Sequence, residues 1–343
     1  MIPVGLLTGF LGAGKTTLLR RILRDPQWAD SAVIVNEFGE IPLDHDLVAA
    51  GEESFVSVAT GCLCCVVRTD LTRTLAELAA RRAAGAVPPY ARVLIETSGL
   101  ADPAPILHAL LLDREVAATH RLHAVITLVD AARGAEVLDR HPEAARQVML
   151  ADRIVVTKPD LAPGTAPLVA RLRALNAAAP MREAVQGALP PDWLLAPGPH
   201  AADPAALLAW LEEAGTAARH TPGVAAIALE RERPVPALAL TLWMQGLAEH
   251  AGGRLLRLKG LVAVEEAPER PVAIHAVQHL VHPLEWLEGW PGAERRGRIV
   301  LIGQGIPAHW PARLLAAVEE EVAWVALGGG RELPPPRPPP SFF

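Results

Sequence analysis

The run Gly9-Phe10-Leu11-Gly12-Ala13-Gly14-Lys15-Thr16 constrains this chain more than any other feature. It satisfies the G-x-x-x-x-G-K-[ST] pattern in full. It follows a β-like run, Val4–Thr8, and opens a helix-like one, Thr16–Arg24. A strand, a glycine-rich turn and a helix in that order make a phosphate loop and predict a parallel α/β sheet around it. Gly9, Gly12 and Gly14 let the backbone turn its amides inward around phosphate oxygens, and the helix N-terminus adds its dipole. Lys15 then bridges the β- and γ-phosphates, and Thr16 holds Mg²⁺.

The rest of the chain agrees with that sheet. Further strand candidates are Ala32–Val35, Phe55–Ala59, Val93–Glu96, Ala124–Val129 and Ile154–Thr157, with helical patterns between them such as Arg68–Ala84. Strands that alternate with helices build a parallel α/β fold, which binds ligands at the carboxyl ends of its strands. Residues 187–204 are rich in proline and glycine and read as a loop or linker. A helix follows near Pro204–Ala218. The order then changes to a strand (Val224–Leu229), a helix (Val235–Ala251), three strands (Leu255–Val264, Val272–Val281, Arg298–Ile302) and a last helix (Pro311–Ala323). The expected architecture is a P-loop domain over residues 1–218, a smaller α+β domain over 219–326, and a proline-rich, disordered tail over 327–343.

Three strand ends carry chemistry. Val93-Leu94-Ile95-Glu96-Thr97-Ser98-Gly99 ends an apolar strand in a carboxylate, two hydroxyls and a glycine. Glu96 is placed to position Mg²⁺ through water, and Gly99 to offer its amide to the γ-phosphate and swing away after hydrolysis. After the second strand, Asn36-Glu37-Phe38-Gly39-Glu40 brings Glu37; it or Asp44 would orient the attacking water. Thr157-Lys158-Pro159-Asp160 gives T-K-x-D where GTPases usually carry N-K-x-D. The Asp160 carboxylate can accept two hydrogen bonds from guanine, a donor pair that adenine lacks. The Lys158 stem would lie along the base, and the Thr157 hydroxyl must brace the loop in place of an amide.

All three cysteines, Cys62, Cys64 and Cys65, fall in one four-residue window after the third strand. Zn²⁺ or Cu(I) suits such thiolates. Three cysteines this close bind one ion only through a tightly turned loop, with any remaining ligand from a carboxylate or a partner. A structural trio, a redox pair and a structural zinc are the other readings.

Composition excludes several classes. The net charge is −6, from 32 basic and 38 acidic residues, with no basic stripe of the kind nucleic-acid binders show. No apolar run reaches the ~20 residues of a membrane helix. The N-terminus lacks a basic n-region. Clustered thiols suit a reducing compartment, so the expectation is a soluble cytoplasmic protein.

The segments Gly9–Thr17, Asn36–Glu40, Gly61–Cys65, Glu96–Gly99 and Thr157–Asp160 occur in the order found in metal-handling P-loop GTPases. The G-C-x-C-C run resembles the CobW family among them. The resemblance extends to Leu255-Leu256-Arg257-Leu258-Lys259-Gly260-Leu261 and Val277-Gln278-His279 in the second domain. It implies a GTP hydrolase acting as a metallochaperone, commonly for Zn²⁺, with Co²⁺ in the cobalamin-linked members. GTP turnover would gate metal transfer to a client metalloprotein. It gives the phosphates and Mg²⁺ to Gly9, Gly12, Ala13, Gly14, Lys15, Thr16 and Thr17. It makes Glu96, with Ser98 and Gly99, the γ-phosphate sensor, and Thr157, Lys158 and Asp160 the readers of guanine. Cys62, Cys64 and Cys65 would hold the transition metal, with Glu40 as an additional ligand. Where some relatives carry a further Glu, this chain has Val35, and its histidines form no run. His279 and His282, on the single strand expected there, would point to opposite faces. A client or a second subunit would complete the site. Two other readings stay open: a nucleotide-gated metal sensor, and a P-loop ATPase or kinase whose cysteines are structural.

Overall fold

The structure, a computed structural model, describes residues 1–28, 30–36, 55–57, 66–176, 179–196, 204–217, 224–277, 280–282 and 284–327. Among the described residues the first unit is a parallel sheet of seven strands: β1 (Ile2–Gly9), β2 (Ser31–Asn36), β3 (Phe55–Ser57), β4 (Arg92–Thr97), β5 (His120–Asp130), β6 (Arg153–Thr157) and β7 (Met181–Ala184). Their order is β3-β2-β4-β1-β5-β6-β7, and every pairing is parallel. The chain moves outward on one side of β1 and then crosses to the other, so β1 lies at the switch point where such sheets bind ligands.

Helices cover both faces: α1 (Lys15–Leu23), α2 (Val66–Ala83), α3 (Ala104–Leu112), α4 (Arg114–Thr119), α5 (Gly134–Arg140), α6 (Pro142–Leu150) and α7 (Ala166–Leu175). Strands buried on both faces read as continuous apolar runs. Val93, Leu94 and Ile95 are fully buried, and Val93 and Ile95 pack on the α2–α3 side while Leu94 packs on the α1 side. On α1, Leu18, Leu19 and Ile22 form the apolar stripe, and Arg20 and Arg21 in its last turn complement the helix dipole. On α6, Pro142 sits in the first turn, where its missing N–H costs nothing.

After the short α8 (Pro191–Leu194) and α9 (Pro204–Ala217), the chain builds a second, antiparallel sheet: β8 (Val224–Arg231), β9 (Leu255–Val262), β10 (Val272–Val277), β11 (Leu280–Val281), β12 (Glu285–Trp286) and β13 (Gly297–Gln304). Two helices, α10 (Ala237–Ala251) and α11 (Trp310–Ala326), cover one face. The other face packs on α9 and on Met149 of α6, joining the two sheets through a shared core that includes Trp210, Leu256, Leu261 and Val300. In β9 the register against β13 shifts across Leu256. This bulge leaves Arg257, Lys259 and Leu261 facing the first unit, with Leu258 and Val262 under α10 and α11.

Three expectations need correction. Val272–Val281 is not one strand; β10 and β11 fold back as an antiparallel hairpin, with Val277 opposite Leu280. The fifth strand begins at His120 instead of Ala124, because buried His120 and Leu122 alternate with more accessible Arg121 and His123 and extend the pairing with β1. β7 adds an edge strand that no strong apolar run announces. The expected strand positions 58–59 and the tail from residue 328 lie outside the described residues. Among the described residues no helix is long and apolar enough to cross a membrane.

Candidate functional site

The phosphate loop joins β1 to α1 at the carboxyl edge of the sheet. Gly9 has φ 141°, and a Cβ there would stand 2.4 Å from the Leu128 carbonyl oxygen of β5, so only glycine fits. Gly12 and Gly14 also have positive φ, 75° and 92°. The Ala13 N–H donates to Phe10 O at 3.1 Å and closes the turn. Lys15 is buried, and its ammonium donates to Gly9 O at 2.8 Å, which holds the cation over the loop. Thr17 is exposed one step along α1, facing a cavity also lined by Arg20, Arg24 and Gln186.

The acid of β4 meets this loop directly. Thr16 Oγ1 donates to Glu96 Oε1 at 2.9 Å, and Glu96 is 1% exposed. A hydroxyl and a carboxylate side by side at the first turn of α1 are the hard oxygen donors that Mg²⁺ prefers, so these residues fit that ion. Thr97 Oγ1 donates to Thr8 Oγ1 at 3.0 Å, tying β4 to β1 just below. Ser98 is nearly buried and leads into Gly99, where a Cβ would come within 2.6 Å of the Leu11 backbone nitrogen. The Gly99 peptide therefore lies against the phosphate loop.

The T-K-x-D segment braces the loop from the other side. Thr157 Oγ1 donates to Ala13 O at 2.8 Å, tying the end of β6 to the phosphate loop. Lys158 adopts a left-handed conformation, φ 54°, which turns its side chain back across the loop. Its ammonium donates to Gly12 O at 2.7 Å and pairs with Asp130 at 2.7 Å. Asp160 is exposed in the turn that follows. Sequence reasoning missed Asp130, which closes β5 and also accepts the Ala132 and Arg133 N–H groups. It missed Gln186 and Gly187, both at positive φ after β7, and a Cβ on Gly187 would meet Leu18 Cα at 3.1 Å. Gly187 just after the strand was the available sequence signal for a left-handed turn docked on α1. It also missed Gln147, discussed below.

Glu37, Glu40, Asp44, Cys62, Cys64, Cys65 and His279 lie outside the described residues. Val35 is buried in the core behind α1. His282 follows β11 with its ring edge-on to His275, centroids 6.0 Å apart, and its expected relation to His279 lies outside the described residues. Burial pushes the His282 imidazole down to about 4. Among the described residues no three His, Cys, Asp or Glu side chains gather as metal ligands.

Comparison with known proteins matches this arrangement. Residues 3–183 fit the family model described as CobW/HypB/UreG, nucleotide-binding domain, and residues 224–319 fit the cobalamin synthesis protein CobW C-terminal domain. The chain is 32% identical over 306 residues to the zinc chaperone YjiA of Escherichia coli, covering 89% of this chain and 95% of that one. It is 41% identical over 156 residues to the zinc chaperone CobW of Pseudomonas aeruginosa, covering 43% and 40% respectively. The crystal structure of Zn(II)-bound YjiA GTPase from E. coli superposes with a TM-score of 0.68 at 27% identity, over 92% of this chain and 98% of the other. The phosphate loop, the Thr16–Glu96 pair and the matches across both sheets make this chain a member of the CobW family of P-loop GTPases.

Proposed function

We propose that this chain is a GTP-dependent metallochaperone that moves Zn²⁺ from a Cys62–Cys64–Cys65 site to a client metalloprotein. The observation that carries the reading is the match, along nearly the whole chain, to a zinc chaperone, in a sequence whose only three thiols share one window. The fold supports it. β3 runs parallel to β2 and β4, so its carboxyl end lies at the edge that holds the phosphate loop. The chain continues from that end to the cysteines.

In this reading Lys15 and the amides of Gly9 to Thr17 bind the phosphates, and Asp160 selects guanine while Thr157 and Lys158 fix the loop. Thr16, with Glu96 acting through water, would hold Mg²⁺, which would neutralise charge on the phosphate oxygens. Ser98 and Gly99 sense the γ-phosphate, and Glu37 orients the attacking water. Zn²⁺ is the cargo, held by the three thiolates with Glu40 as a further ligand; Co²⁺ or another thiophilic ion is the alternative cargo. Loss of the γ-phosphate lowers the affinity of the thiolate site, and the ion passes to the client. Reduced thiols require a reducing compartment, so the protein acts in the cytoplasm. A second copy of the chain or the client completes the site. We place the GTPase unit at residues 1–218, the second unit at 219–326 and the tail at 327–343.

The test is a single-turnover experiment on Zn²⁺-loaded protein with a fluorescent zinc indicator. Zinc release is expected to follow GTP hydrolysis and to be absent with ATP. Asp160→Ala should weaken GTP binding by ~10² or more and abolish the preference over ATP. Release that is independent of nucleotide, or equal with ATP, refutes the reading.

A further inference from the structure

Gln147 is a polar side chain in an unexpected place. It sits in α6, 1% exposed, on a helix whose other buried residues are apolar. Its Nε2 donates to two carbonyls of the turn after β4, Gly99 O at 3.2 Å and Ala101 O at 3.0 Å. Its own backbone oxygen accepts from Thr127 Oγ1 at 2.8 Å, which pins that turn of α6 to β5. The Gly99 peptide is thus held from two sides, by Leu11 of the phosphate loop and by the Gln147 amide.

The geometry points to Gln147 as the positioning residue of the γ-phosphate sensor. This rests on the reading of Gly99 given above. Gly99 cannot move by the length of a hydrogen bond unless the Gln147 contacts break or α6 follows. There is room for α6 to follow. A cavity of about 280 Å³ lies between the phosphate loop and the α5–α6 pair, lined by Phe10, Leu11, Gly12, Val137, Gln147 and Val148. The far end of α6 is fixed to the second sheet: Arg257 donates to Ala151 O at 3.1 Å and is ion-paired with Asp152. A displacement of Gly99 carried by Gln147 therefore reaches β9 through a continuous run of packed and bonded groups. Coupling of this kind needs an element that both sites bias, and α6 with its C-cap Ala151 is bonded to the Gly99 turn at one end and to β9 at the other.

The test compares Gln147→Met, which keeps the volume and removes the donor, with Gln147→Glu, which sets a carboxylate against two carbonyl oxygens. Affinities for GDP and for the slowly hydrolysed analogue GTPγS are measured beside kcat and the thermal midpoint. Loss of two hydrogen bonds predicts about a 30-fold fall in GTPγS affinity and in kcat. GDP affinity should stay within about twofold, because GDP lacks the phosphate that Gly99 contacts. A parallel fall for GDP and GTPγS with a lowered melting temperature would mean a structural role only and overturns the inference, as does no change in either. Gly99→Ala is the control. If it leaves the GTPγS preference unchanged, the sensor reading itself fails and the Gln147 role falls with it. If Gly99→Ala removes the preference while both Gln147 variants keep it, only the Gln147 assignment is wrong.

Discussion

Replacing Asp152 by Asn removes one buried negative charge and little else. Asp152 is buried between the two sheets, where Oδ2 accepts the Val125 N–H at 2.8 Å and Oδ1 faces two cations. Arg257 pairs with that oxygen, and Lys259 Nζ stands 3.7 Å from it; both side chains are 1% exposed. Trp210 covers the cations from the other side, its centroid 5.4 Å from the Arg257 guanidinium and 5.3 Å from Lys259. Burial, reinforced by Arg257, already holds the Lys259 ammonium well below its ordinary range, with Asp152 pulling the other way. Asn that keeps its oxygen on the Val125 N–H turns an amide NH2 donor toward Arg257 and leaves the guanidinium buried without a countercharge. Breaking a buried ion pair from one side costs about 3–5 kcal/mol. With an unfolding entropy of about 2.1 cal/mol/K per residue, that lowers the melting temperature by roughly 4–7 °C. Scanning calorimetry of both proteins measures it. The double variant Asp152→Asn/Arg257→Met, which leaves only Lys259, an amine whose burial already disfavours its charged form, should recover most of the loss. A shift of Asp152→Asn below about 1 °C, or a double variant less stable than the single one, would refute the argument that charge pairing holds this interface.

Two further perturbations follow from the site and the first sheet. Thr157→Val leaves the Ala13 carbonyl without its partner at a cost of about 1–3 kcal/mol, so KM for GTP should rise at least fivefold while kcat changes less; steady-state kinetics reads the split. Burial lowers the His120 imidazole to about 4, so the folded state keeps it neutral while the unfolded chain protonates near 6.5. Stability present at pH 7 is therefore lost as pH falls from about 6.5 towards 4, by about 3 kcal/mol from this group. His120→Phe should flatten that part of the urea-denaturation profile, and equal slopes would disprove it.

The first sheet was largely legible because its strands are buried on both faces and read as unbroken apolar runs, and because the phosphate loop and T-K-x-D mark the ends of β1 and β6. The β10–β11 hairpin was hidden for a physical reason. Gln278-His279, the pair between the two strands, contains no Gly, Pro, Asn or Asp, so no turn residue marks the reversal. Asp130 and Gln147 act through partners 28 and 48 residues away, contacts that no local pattern reports. Arg257 and Lys259 did leave a trace: two cations at alternate positions of an apolar strand share one face and need a buried partner.

Release of the ion on GTP hydrolysis requires coupling between the γ-phosphate and the thiolate site. Its most direct test is the Zn²⁺ dissociation constant of this protein bound to GDP and to a non-hydrolysable GTP analogue, measured by competition with a chelator of known affinity. Binding is expected to be tighter in the GTP-like state by at least about tenfold, a coupling of roughly 1.4 kcal/mol, with loss of that difference in Cys64→Ser. Equal zinc affinities in the two nucleotide states would contradict it.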